Sequence, residues 1–482
     1  MAQLESVAEA VAAAAHSFSG QLLQPADASY DEARRVHNGL IDKRPALIAR
    51  CRGVADVVDA VLLARNLGLE VAVRGGGHNV AGRATVDGGL MIDLSLMRAI
   101  YVDPAHRTAR VQGGATWAEV NRETQLHGLA VTGGVVSTTG VAGLTLGGGI
   151  GWLMSKYGLA LDNLRSVELV TASGEVLHAG PQHNPDLFWA LRGGGGNFGL
   201  AASFEFDLHR VGPTITGGLI AHPFSNARDV LRFFRDHTAA LPDEQTLVAG
   251  LLHGPDGTAL AGMVTCHCGP LPEGEAAMQP LKAFGSPALD ALGPMPYFQL
   301  NSMLDAGYPK GALNYWKSSF LAELSDAGID TMIAAYDRCP SPMSQILLEH
   351  FHGAATRIGV TDTAFPLRSE GYNLLVLGQW EDAAQSERCI AWVRQTYAEM
   401  EPFMAAGRYV NYLGDDETGD PVAIAYAPTT GACNRSKPGT TRATSFISTR
   451  TFALSRKPGV GADGYAGARH RRVGVNPRTG RG

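Results

Sequence analysis

Apolar residues recur at three- and four-residue intervals over 53–68 (Val54, Val57, Val58, Val61, Leu62), which predicts an amphipathic helix closing near Asn66 and Gly68. An apolar run, 69–73, follows as a strand and passes straight into Arg74-Gly75-Gly76-Gly77-His78-Asn79. Short strands are expected at 90–94, 99–102 and 108–112. Thr116-Trp117-Ala118-Glu119 has the form of a capping box and opens a helix to about His127. Beyond a second glycine region, 133–151, residues 166–171 and 176–179 read as a hairpin around the turn 172–175. A third glycine cluster, 193–199, leads into an alternating strand at 202–208. Residues 42–212 are thus expected to form an α+β unit of short strands joined by glycine-rich loops.

The pattern changes after 212. Strands at 217–221, 246–252, 261–268, 346–351 and 372–380 alternate with amphipathic helices at 227–241 and 383–400. This predicts an antiparallel sheet backed by helices, suited to covering a substrate.

With 482 residues, 45% of them hydrophobic, the chain is long enough for two or three domains. No apolar run reaches membrane-spanning length, so no membrane partner is expected. The helically spaced N-terminal stretch (Leu4, Val7, Ala8, Val11) lacks the basic region of a signal peptide, so a cytoplasmic location is the expectation. The six cysteines are scattered, and Cys266-His267-Cys268 has no second ligand pair at zinc spacing, so no metal is expected. The net charge of −6 hides an asymmetry: from Pro428 onward eleven Lys and Arg face one acid, Asp463. A basic tail on an acidic body suggests nucleic-acid binding. The tail lacks the aromatic interleaving that reading needs, having only Phe446, Phe452 and Tyr465, so no nucleic-acid partner is expected.

The glycine clusters are individually ambiguous. Residues 74–79 follow a strand but open no helix, which argues against a Rossmann or Walker loop. Consecutive glycines can still present backbone amides to a pyrophosphate, because no Cβ blocks the approach. On spacing alone His78 reads as a hydrogen-bonded histidine in a tight turn. Gly194-Gly195-Gly196-Asn197-Phe198-Gly199 formally satisfies the dinucleotide pattern, but an alternating strand follows it. The stretch 147–152 would suit packing against a flat ligand or a flexible loop equally well.

Taken in order, however, these segments resemble one family. They are 74–79 with Gly82, 87–94, Thr132-Gly133-Gly134, Gly140-Val141-Ala142-Gly143, 146–152, 156–163, 186–192 and 193–199. Together they are similar to the vanillyl-alcohol-oxidase superfamily, with its FAD-binding domain of the p-cresol methylhydroxylase type, and to its berberine-bridge-enzyme-like branch.

The resemblance implies an α+β fold: an N-terminal helical segment at 1–41, a two-subdomain FAD-binding domain at 42–212, a substrate domain at 213–409 and a return segment at 410–427. It implies FAD held by Arg74, Gly75, Gly76, Gly77, His78, Asn79, Gly82, Thr132, Gly133, Gly140, Gly143, Gly147, Gly148, Gly149, Gly151, Tyr157, Gly158, Asp162 and Asn163, with His78 bonded to the flavin 8α carbon. A second link, from cysteine, is not expected, because Val136 stands where relatives carry that cysteine. The implied activity is hydride removal from a CH–OH or CH–NH carbon of a small or secondary metabolite, with oxygen or another carrier as acceptor.

The candidate catalytic groups are Tyr412, in the Asn411-Tyr412 pair where relatives place a tyrosine over the flavin, and Glu349 and His350 on an expected strand. A tyrosine serves as a base near neutral pH if its pKa is lowered or it acts in concert with hydride transfer. Tyr315, Lys317, His352, Arg357 and Arg368 are read as pocket, surface or ion-pair residues.

The resemblance stops at Ala427. Shifting the reading frame by two nucleotides over 428–433 permits the Asn-Tyr-x-Arg-Leu segment with which relatives continue. Residues 428–482 are therefore read as an out-of-frame, disordered tail, and the alternative function is an inactive or unstable flavin-binding product.

Overall fold

Gly53 and Gly68 bracket the first long helix, Val54–Leu67, and Gly68 closes it in the left-handed conformation at φ 64°. In the computed structural model, which describes residues 16–416 together with Glu9, Val11, Ala12, Ala14, Ala425 and Tyr426, this helix buries Val57, Ala60, Val61 and Ala64. Its partner is a four-stranded sheet ordered Gln21–Leu23, Leu47–Arg50, Leu90–Asp93, Val71–Arg74, of which the last three run parallel. The expectations for the basic tail and most of the first N-terminal helix lie outside the described residues.

A five-stranded antiparallel sheet follows, ordered Ile100–Asp103, Thr108–Gln112, Leu200–Asp207, Leu164–Val170, Val176–Ala179. The last two strands are the expected hairpin. The helix Trp117–Gln125 opens where the capping box stands. The Thr116 amide and hydroxyl both donate to Glu119 Oε2, at 2.9 and 3.0 Å.

The second half is an eight-stranded antiparallel sheet, its path led by the long strands Thr214–Pro223, Ala259–His267, Gln245–His253, Gln345–Phe351, Gly371–Trp380 and Leu313–Leu321. Helices Ala227–Thr238, Leu271–Ala283, Asp326–Tyr336 and Ser386–Met400 pack on one face through Phe234, Met278, Met332 and Trp392. The helices at 271–283 and 326–336 were not expected. In the first, Pro272, Gly274 and Pro280 break the helical signature; Gly274 is needed because a Cβ there would lie 2.5 Å from Thr216 Oγ1. The opposite face of the sheet, carrying Trp316, Leu375 and Leu377, meets Val136 of the first half. That seam holds the site.

Candidate active site

The three glycine-rich loops converge although 53 residues of chain separate the first from the second and 41 the second from the third. Gly76 and Gly140 touch backbone to backbone: a Cβ on Gly76 would lie 2.5 Å from Gly140 Cα, and one on Gly140 would lie 2.3 Å from Gly76 N. Gly75–Gly77, Gly140, Gly143, Gly195 and Gly196 then line one cavity of ≈ 290 Å³ that runs into the seam between the two halves.

His78 stands on the cavity wall, and its Nε2 is buried without a hydrogen-bond partner among the described residues. Behind it lies His37, its ring stacked on His78 at 3.9 Å and 18°. Burial, reinforced by His37, pushes the His78 imidazole down to about 3, so it is neutral across the physiological range.

At the other end of the cavity Tyr412 donates from Oη to Glu349 Oε1 at 3.2 Å, and Asn373 Nδ2 donates to Glu349 Oε2 at 2.6 Å. Among the described residues no cation stands at hydrogen-bonding distance from Glu349. Burial pushes its carboxyl up to about 7, with the Asn373 and Tyr412 hydrogen bonds pulling the other way. Tyr412 is pushed well above the usual phenol range, first by burial and then by Glu349. Of the two conditions named for Tyr412, a lowered pKa is not what this environment provides, which leaves action in concert with hydride transfer. Tyr409 props this corner, its Oη accepting from the amides of Gly149 and Ile150 at 3.1 and 3.4 Å and from Asn411 Nδ2 at 2.9 Å. Trp316 packs edge-on to both Tyr308 and Tyr412.

A sequence profile described as an FAD binding domain matches residues 45–180. (R)-6-hydroxynicotine oxidase of Paenarthrobacter nicotinovorans is 31% identical over 384 residues, 76% of this chain and 81% of that protein. An FAD-linked oxidoreductase of Dictyostelium discoideum is 30% identical over 79% of this chain and 83% of its own length. The crystal structure of 6-hydroxy-D-nicotine oxidase from Arthrobacter nicotinovorans superposes with TM-score 0.80 at 27% identity, covering 91% of this chain and 98% of that one. The chain belongs to the berberine-bridge-enzyme-like FAD-linked oxidoreductases.

FAD is accordingly the cofactor of this berberine-bridge-enzyme-like protein, and the cavity fits it. Gly143 and Gly196 line the space with nothing within 4 Å of where a Cβ would stand, so side chains there would intrude into it. His78 lines the same space beside Gly76, Gly77 and Asn79. Gly75, Gly76, Gly77, His78, Asn79, Gly140 and Gly143 are the expected cofactor residues that line it.

The remaining expected residues do not reach the cavity, and each has a structural partner instead. Arg74 is bound twice to the fully buried Asp93, at 2.9 and 3.0 Å, and holds the base of the glycine turn. A Cβ on Gly82 would lie 2.7 Å from Ile41 Cδ1. Gly133 gives way to Trp117, Gly147 to Asn411, Gly148 to Phe365, Gly149 to Ala160 and Gly151 to the Gly133 carbonyl, the last at 1.6 Å from a notional Cβ. Thr132 donates to the Gly158 carbonyl at 2.8 Å, Tyr157 stacks on His209 at 4.0 Å, and Asn163 binds the carbonyls of Tyr157 and Leu159. Asp162 caps Leu159 and grips Arg368 through two 2.8 Å bonds.

His350 is likewise displaced from the expected catalytic set. Strand alternation turns it to the face opposite Glu349, where it stacks on His352 at 4.5 Å. The sequence pattern did not reveal His37, Asn373, Tyr409, Tyr308 and Trp316. Of these only Asn373 carried a local signal, lying across the strand pair from Glu349.

Proposed function

We propose that this protein oxidises a CH–OH or CH–NH carbon of a small molecule, on a flavin joined covalently to His78. Bound FAD supplies the hydride acceptor, and another acceptor, oxygen or a carrier, reoxidises it. The chain's own residues manage the proton. The substrate O–H or N–H loses its proton to Tyr412 Oη as the tyrosine's own proton passes to Glu349 Oε1, a step that needs the carboxylate form of Glu349. Trp316, Tyr308, Leu347 and Leu375 wall that end with apolar surface and limit access of water.

The observation that carries the covalent link is the neutral His78 imidazole, half-buried on the cavity wall. A neutral imidazole retains the lone pair a nucleophile requires. Val136 occupies the cavity wall where a cysteine could give a second link, which supports attachment through one residue. The glucooligosaccharide oxidase of Acremonium strictum, 23% identical to this chain, contrasts with it in carrying a flavin linked to both cysteine and histidine.

Acid precipitation tests the reading directly. Purified protein should keep its yellow colour in the pellet, and His78→Ala should release the colour to the supernatant. A wild-type pellet without flavin refutes the covalent link. Anaerobic bleaching against a panel of small alcohols and cyclic amines identifies the substrate, and bleaching that persists at the wild-type rate in Tyr412→Phe rejects the proton route.

A further inference from the structure

His37, stacked on His78, has no part in the reaction just described, and the segment that carries it is held by several backbone contacts. His37 is 5% exposed and does not line the cavity, so it backs His78 on the side away from the cofactor space. Its backbone is clamped on both sides: the His37 amide donates to the Gly77 carbonyl at 2.9 Å, and the Gly311 amide donates to the His37 carbonyl at 2.9 Å. Arg74 adds bonds to the carbonyls of Ala33 and Arg35, at 2.6 and 3.1 Å. The His37 Nε2 is itself buried and without a partner among the described residues. No hydrogen bond joins the two rings, so the contact between them is face to face. Such a contact fixes a ring plane: with its back covered, the His78 imidazole cannot swing away from the cavity about its side-chain torsions without losing the stack.

We propose that His37 is a positioning residue for cofactor attachment, its stacked ring holding the His78 imidazole in the plane from which it bonds to the flavin. The inference rests on the covalent reading above. In that step one C–N bond forms between His78 and the flavin 8α carbon. The 8α C–H and the imidazole N–H are given up, and the resulting two electrons and two protons leave through the same acceptor that serves turnover. Bond formation of this kind needs the attacking atom aligned within a narrow cone. A displacement of about 1 Å costs on the order of 100-fold in rate. His37 supplies that alignment through its flat face and contributes no atom to the product.

The test follows acid-stable flavin growing with time after FAD is added to apoprotein, with total bound flavin and circular dichroism measured alongside. His37→Ala should bind FAD and stay folded, but form acid-stable flavin on the order of 100-fold more slowly. His37→Phe, which keeps a flat ring without ring nitrogens, should restore the rate to within a few-fold of wild type. Should the alanine variant not fold, His37→Leu fills similar space without a planar face and should show the same slow linkage. Linkage at the wild-type rate in His37→Ala or His37→Leu overturns the proposal. So does a His37→Phe variant as slow as His37→Ala, because that assigns the effect to the ring nitrogens. A wild-type protein that never forms acid-stable flavin removes the covalent reading and this proposal together. A wild type that links, with His37→Ala linking at the same rate, removes this proposal alone.

Discussion

At Glu349 burial outweighs two hydrogen bonds in setting the carboxyl pKa. Among the described residues its two oxygens receive only neutral donors, Asn373 and Tyr412, so the charged form is stabilised too little to offset lost hydration, and the carboxyl rises to about 7. On the proposed proton route the carboxylate is the acceptor, so turnover should rise as pH increases through about 7 and level off above it. Glu349→Gln should abolish that limb and lower kcat on the order of 100-fold, measured by steady-state oxidation across pH 5–9. A profile unchanged in the variant would assign the limb to another group. The Asn411-Tyr412 pair was visible in the sequence, but its environment was not. A tyrosine's pKa depends on which carboxylate faces it, and Glu349 lies 63 residues earlier in the chain.

Loops that look alike in sequence divide by what their glycines meet. Gly143 and Gly196 open onto the cavity, whereas Gly147, Gly149 and Gly151 are glycine because side chains or backbone of neighbouring segments fill the place of a Cβ. A composition reading cannot separate these cases, since both demand the missing side chain for different neighbours. The first loop's rigidity comes from Gly76 against Gly140. Gly76→Ala should therefore push the two loops apart and destabilise the fold by about 1–3 kcal/mol, read by denaturant unfolding, with weaker FAD retention. The helix at 54–67 and five of the six long strands of the large sheet were legible from their apolar pattern, whereas Leu313–Leu321 was not among the expected strands. The helix Leu271–Ala283 was hidden by Pro280 inside it.

Across the whole molecule, the two halves are fastened at several points of different kinds. The Arg368–Asp162 pair is one, with side chains only 1% and 4% exposed. Arg368→Met strands a buried carboxylate and should cost roughly 3–5 kcal/mol in unfolding free energy, part of it recovered by adding Asp162→Asn. Asn38 is another: its Nδ2 reaches the carbonyls of Val80 and Asn314 at 2.8 and 2.9 Å, and its Oδ1 accepts from the amides of Leu40 and Asn314. Asn38→Ala should speed hydrogen exchange at the Asn314 amide selectively, leaving the strand core at 345–351 protected. Neither fastening was readable in the sequence, because each joins residues more than 200 positions apart. The family resemblance located the cofactor loops without indicating what braces them.

The stretch around His37 and Asn38 imposes an order on maturation. His78 emerges early from the ribosome, yet the strand that secures its backing, Leu313–Leu321, is made more than 230 residues later, and the tyrosine corner at 409–412 later still. On the covalent reading proposed above, a nascent chain therefore carries an anchor residue whose setting does not yet exist. Flavin attachment is then a finishing step, open only to a chain that has already closed around that residue.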